Sequence, residues 1–137
     1  MMTLTALAAV LALTTAQPEA SLTLTVEGIE TQAGSLAIGV FNTQEGWDDG
    51  TAVTGRRVEV TGMTVEVDLG ALPPGEYGIK LYHDVDDDGE LDANLMGIPS
   101  EPFAFSNNAM GRFGPASWSD AVFAVDAAGT RHTVRLQ

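Results

Sequence analysis

The chain has 137 residues, 45% of them hydrophobic, which fits one globular domain with a real core. Nineteen acidic residues against six basic ones give a net charge of −13, a balance that repels phosphate and argues against nucleic acid or an anionic membrane as partner. There is no cysteine, so disulfides, zinc–thiolate sites, iron–sulfur clusters and cysteine nucleophiles are excluded.

Residues 1–16 (MMTLTALAAVLALTTA) are apolar, rich in small residues and free of charge. They read as a signal peptide, with Thr14 and Ala16 at the small-residue positions before a cleavage site. The run falls short of the roughly 20 apolar residues of a membrane span, so no stable span is expected after cleavage. No Lys or Arg precedes it, and the alternative is an uncleaved anchor or a disordered leader. With no cysteine after the apolar run, a lipid anchor is not expected. Residues 17–137 then form a single domain, expected in the periplasm or secreted.

Beyond the leader, hydrophobic residues alternate with period two, as a sheet with one buried and one wet face requires. Leu22, Leu24 and Val26 share one face, followed by Leu36, Ile38 and Val40, then Val58 and Val60. Met63, Val65, Val67 and Leu69 form a fourth set and Tyr77, Ile79 and Leu81 a fifth. Phe123 with Val125, and Val134 with Leu136, complete seven strands. Turn chemistry separates them at Ala33-Gly34, Thr61-Gly62, Pro73-Pro74-Gly75 and Ala128-Gly129. The pattern predicts an all-β, seven-stranded antiparallel β-sandwich, an immunoglobulin-like arrangement of two sheets. Helix is expected only as one short turn within residues 43–54. Between Asp84 and about Asp120 strand alternation disappears. Phe103, Phe105, Phe113 and Trp118 nevertheless predict an ordered long loop, most simply a small core beneath it.

The start of that loop carries six of the 19 acids, between Asp84 and Asp92. Asp84, Asp86 and Asp88 alternate, followed by Gly89, the spacing with which an EF-hand-type loop wraps calcium. In that reading Asp84, Asp86, Asp88 and Asp92 give side-chain oxygens, Glu90 gives its backbone carbonyl and Leu91 pins the loop to the core. The twelfth position is Leu95 rather than Glu, and a strand rather than a helix precedes the loop, so this is not a true EF-hand. Completing a calcium shell would require an outside ligand from Asn94, Glu101 or an Asn of the Ser106-Asn107-Asn108 run. A solvated acidic turn is the alternative.

Other chemistry finds little footing. Neither Gly-x-Ser-x-Gly, Ser-x-x-Lys nor His-Glu-x-x-His occurs. The only histidines, His83 and His132, share the parity of core residues and read as structural, with a copper or zinc site at His83 a weak alternative. Lys80, the single lysine, reads as a surface residue. A hydrolase using His83 and a nearby carboxylate is the least favoured function. The aromatics from Phe103 to Trp118 could instead contact a cell-envelope protein or glycan without metal.

Leu72-Pro73-Pro74-Gly75-Glu76-Tyr77, the acidic loop and the run from His83 to Gly114 (HDVDDDGELDANLMGIPSEPFAFSNNAMGRFG) together resemble one family. They are similar to the exported bacterial proteins grouped as domain of unknown function 2141, over about Leu22 to Leu136. The family's loop often carries Asn where this chain has Asp, which favours the cation reading here. The Leu-Pro-Pro-Gly-x-Tyr turn also resembles transthyretin-like and carboxypeptidase-regulatory-like sandwiches. The resemblance implies a β-sandwich and export, and no activity. The expectation is an exported, calcium-stabilised binding or structural module rather than an enzyme.

Overall fold

The computed structural model describes residues 20–87, 101–112 and 114–137; the expected leader lies outside them. The described residues form eight strands: β1 (Ala20–Glu27), β2 (Ser35–Phe41), β3 (Thr54–Glu59), β4 (Val65–Leu72), β5 (Gly75–Asp84), β6 (Phe103–Phe105), β7 (Phe123–Val125) and β8 (Thr130–Arg135). Two short helices, α1 (Gln44–Asp49) and α2 (Trp118–Ala121), and a tight helical turn at Ser106–Asn108 complete the fold. One sheet has the order β4-β1-β8; the other runs β3-β2-β5-β6, with β7 also paired to β5.

The period-two pattern becomes burial directly. Leu22, Leu24, Val26, Val67, Leu69 and Val134 of the three-stranded sheet join Leu36, Ile38, Val40, Tyr77, Ile79 and Leu81 of the other sheet in one apolar cluster. Each such side chain contributes about 1.5–3 kcal/mol when fully buried, which makes this shared core the main stabilising element.

Three expectations are corrected. There are eight strands among the described residues rather than seven, because β6 lies in the stretch read as a loop: its Phe103 and Phe105 belong to the outer aromatic cluster and only the small Ala104 reaches the shared core. The fold is not wholly antiparallel, since β8 runs parallel to β1, with Leu24 opposite His132 and Val26 opposite Val134. Met63 does not join the core: it precedes β4 and is 68% exposed. The helical turn expected within residues 43–54 is α1, where Thr43 Oγ1 accepts the Gly46 N–H at 3.0 Å and Gly50, at φ 82°, ends the helix. No helix was expected at α2.

β5 is buried on both faces. Its inner face carries Tyr77, Ile79, Leu81 and His83. Its outer face is covered near Gly78 by a second apolar cluster of Phe41, Trp47, Phe105, Ala116 and Ala121, with Phe103 and Trp118 packed against it. Trp47 organises this cluster. Its ring meets Phe41 at 5.4 Å, Trp118 at 5.8 Å and Phe105 at 5.9 Å, and its indole N–H donates to the Ala116 carbonyl at 2.8 Å. The aromatics therefore form the small core anticipated beneath the loop; Phe113 lies outside the described residues. Lys80, read as a surface residue, is half-buried. Its ammonium donates to the Trp47 carbonyl at 2.5 Å and stands 4.5 Å from the Trp47 ring, and burial pushes its pKa down against the pull of Asp48 and Asp49.

Two further features fix the frame. The Tyr77 hydroxyl donates to the Pro73 carbonyl at 2.6 Å, pinning the turn by which the chain passes from β4 in one sheet to β5 in the other. On the edge of β5 away from β2, β7 pairs with Gly75–Tyr77 and β6 with Lys80–Tyr82, leaving Ile79 between them. Ser106 Oγ accepts that Ile79 N–H at 2.9 Å and donates to the Ala121 carbonyl at 2.5 Å.

Two predictions follow from this packing. A Cβ at Gly78 would stand 2.9 Å from ring carbons of both Trp47 and Trp118, so Gly78→Ala should lower stability by about 1–3 kcal/mol in urea unfolding. Ser106→Ala leaves a buried N–H and a buried carbonyl without their partner and should cost about 1–3 kcal/mol. An unchanged midpoint in either variant would contradict the packing described.

Candidate metal centre

β5 delivers the acidic loop from its buried end, and the loop's first residues are held firmly. His83, 1% exposed, donates from Nε2 to the Ala33 carbonyl at 2.6 Å. Gly34 follows at φ 68°, and a Cβ there would lie 2.0 Å from the Asp84 carbonyl oxygen, so the two segments touch backbone to backbone. The His83 N–H donates to the Pro102 carbonyl at 2.8 Å, fixing where the chain returns from the loop. Nδ1 of His83 is buried without a hydrogen-bond partner.

On the outer face of the sheet, three carboxylates converge. Asp84, Asp86 and Glu101 each offer an oxygen, and these oxygens lie within 4.8 Å of one another. Asp84 is 0% and Glu101 8% exposed, whereas Asp86 faces solvent. The spacing matters because two oxygens sharing a calcium ion at about 2.4 Å can be at most about 4.8 Å apart. Glu101 is oriented from within the loop: its Oε2 accepts the Val85 N–H at 2.7 Å.

A protein cation already stands here. The register places Arg57 of β3 opposite Ala37 of β2, and Ala37 opposite Tyr82 of β5. With only a methyl group between, the guanidinium reaches across β2 to pair with Asp84, and it also meets Asp87 at 3.1 Å. Asp87, at φ 55°, accepts the Ser35 hydroxyl at 2.7 Å. The bond to Asp84 raises the Arg57 pKa above its ordinary value, the bond to Asp87 adds to this, and desolvation opposes both. Asp84, Asp86, Asp87 and Glu101 thus gather four carboxyl groups at this end of β5. At these separations each like-charge pair repels by about 3 kcal/mol if the effective dielectric constant is about 20.

Of the residues expected to hold calcium, Asp84 and Asp86 are brought together. Asp88, Glu90 and Asp92 lie outside the described residues, as does Asn94. Glu101 is the outside candidate that joins them. Asn107 and Asn108 do not, because their side chains are used elsewhere. Asn107 Nδ2 donates to the Asp120 and Val122 carbonyls at 3.1 and 2.9 Å, and Asn108 Oδ1 accepts the Arg135 N–H at 2.8 Å. Arg57 and Ser35 were not foreseen. Their strands were legible, but the register that brings them to Asp84 and Asp87 is a tertiary choice.

Arg57→Gln should lower the urea midpoint, because it leaves a charged Asp84 buried without the guanidinium. Adding Asp84→Asn should recover part of the loss. Independent, additive effects in the double-mutant cycle would show that the pair is not coupled.

No described helix is long and apolar enough to cross a membrane. No curated protein and no solved structure matches the chain. A family model described as "Uncharacterized protein conserved in bacteria (DUF2141)" matches residues 24–133, a span that contains β2 to β7, the carboxylate cluster and the Ser106–Asn108 turn. The chain belongs to the DUF2141 family of bacterial proteins.

Proposed function

We propose that this protein is an exported β-sandwich of the transthyretin or immunoglobulin type, and a calcium-stabilised binding or structural module of the bacterial cell envelope. One observation carries the calcium reading: Asp84, Asp86 and Glu101 bring three carboxylate oxygens within 4.8 Å, with Glu101 arriving from the far end of the loop. Calcium takes six to eight oxygens and favours carboxylates. In this reading Asp88, Asp92 and the Glu90 carbonyl supply further ligands, and the ion ties the two ends of the loop together. Export rests on the apolar residues 1–16, and the partner would be an envelope protein or glycan. The sandwich assignment draws on the two sheets sharing one core and on the Tyr77–Pro73 bond, a link of the kind seen in tyrosine corners.

The metal-free alternative, with the Phe103–Trp118 aromatics contacting a partner, has less support. Phe105 is 9% exposed, and Phe103 and Trp118 pack against the same cluster. A hydrolase using His83 has less still, since that ring is 1% exposed and its Nε2 is engaged by Ala33.

The test is thermal and chemical unfolding of the full chain in EDTA and in calcium, beside the Asp86→Asn/Glu101→Gln variant. Free calcium at about 100 times its dissociation constant should add about 2.7 kcal/mol of stability to the wild type and nothing comparable to the variant. Coincident curves with and without calcium would remove the reading and leave a solvated acidic turn.

A further inference from the structure

His132 lies in β8 opposite Leu24 of β1, and its ring stacks on Phe123 of β7 with 4.1 Å between centroids and 15° between planes. Its Nε2 accepts the backbone N–H of Asn107 at 3.0 Å. A neutral imidazole has one donor and one acceptor nitrogen, so this bond requires the proton to sit on Nδ1. Asn107 is held in the left-handed region at φ 61°, and Asn108 follows it there at φ 52°. For residues other than glycine that conformation is sustained by surrounding bonds. Here these are the two carbonyls taken by Asn107 Nδ2, the Arg135 N–H accepted by Asn108, and the Asn107 N–H itself.

Protonation converts Nε2 from acceptor to donor. Two N–H groups would then face each other at the distance of a hydrogen bond, and the contact becomes repulsive. We propose that His132 is an acid-sensitive latch, whose protonation releases the Asn107 backbone and frees the Ser106–Asn108 turn from β8 while the shared core of the two sheets stays folded. The turn is the natural place for such a release. It is bonded to β5, to β8 and to the chain around α2, yet contains only three residues.

No charged side chain among the described residues bonds to the ring. On its own strand Arg131 and Arg135 alternate to the opposite face, where Arg131 pairs with Glu66 of β4 at 3.1 Å. Glu27 is the charged residue of β1 and has the parity of the outward-facing residues. β7 contains no charge, and the Asp126 that follows it accepts the Ala128 N–H. Glu76 of β5 lies opposite Ala124. In α2, Asp120 is exposed and meets Asn107 through its backbone carbonyl. With no carboxylate to favour the cation, burial pushes the His132 pKa below its ordinary 6.5. The linkage sign follows. The unfolded chain binds the proton more readily, so stability is full above pH 6.5, declines as pH falls below it, and levels off under the folded pKa.

The test is nuclear magnetic resonance on the full chain in EDTA, from about pH 7.5 to about pH 5. At neutral pH the imidazole nitrogen shifts should report the Nδ1–H tautomer. As pH falls, hydrogen-exchange protection of the Asn107 amide, corrected for intrinsic exchange, should be lost with a midpoint below 6.5. Protection at Arg135 should follow, while Leu24 and Val26 in the core stay protected. His132→Gln, which can still accept but cannot titrate, should hold Asn107 protection flat over the same range. An Nε2–H tautomer at neutral pH, or Asn107 protection that ignores the ring's titration, would overturn the proposal from the wild type alone. A His132→Gln protein that keeps the wild-type pH dependence would overturn it as well.

Discussion

A strand buried on both faces has to be satisfied in four directions, and β5 is that strand here. Its inner side chains complete the core between the sheets, and its outer side is roofed by Trp47 and its neighbours. One edge pairs continuously with β2 from Gly78 to Asp84. The other edge is divided between β7 and β6, and the gap at Ile79 is closed by a serine side chain. Buried backbone groups that go unpaired are costly. The division of that edge therefore dictates where Ser106 must sit, and with it the course of the chain from β6 through α2 to β7.

The same strand sets the geometry of the acidic cluster. Because successive residues alternate across a strand, His83 faces the core and Asp84 faces the roof. Backbone contact with Gly34 leaves the strand end no room to shift. A fully buried carboxylate at that position calls for a cation, and the sheet register supplies Arg57 through the gap left by Ala37. Asp86 and Glu101 then bring two further carboxylates to the same place. The convergence of three carboxylate oxygens, in a chain of net charge −13, is the physical basis of the cation reading.

The roof and the cluster meet along the segment that returns from the loop. Glu101 stands beside Val85, Pro102 bonds the His83 N–H, Phe103 and Phe105 pair with β5, and Ser106 to Asn108 tie off the run. Even Gln137 joins, through its N–H to the Phe103 carbonyl. Within eight residues the chain thus changes from a charged shelf to an aromatic roof to a polar knot. His132 borders the knot, and the cluster lies at the other end of the run.

Hydrophobic alternation by itself determined the long strands, the inward face of β1, β2, β4 and β5, and the inward turn of His83, because period-two burial is written in consecutive residues. The acidic spacing from Asp84 also marked the candidate site, and composition removed thiol chemistry outright. Three-residue β6 and four-residue α2 were not legible, since their large side chains pack into the outer aromatic cluster rather than the shared core and the segments are held in place by their partners. The parallel pairing of β8 with β1, the passage of Arg57 over Ala37 to Asp84, and the use of Asn107 and Asn108 as ties rather than ligands were decided only in three dimensions. Each depends on which strands become neighbours and in what register, and the energy that fixes a register is spread over the whole core rather than encoded beside the residues it brings together.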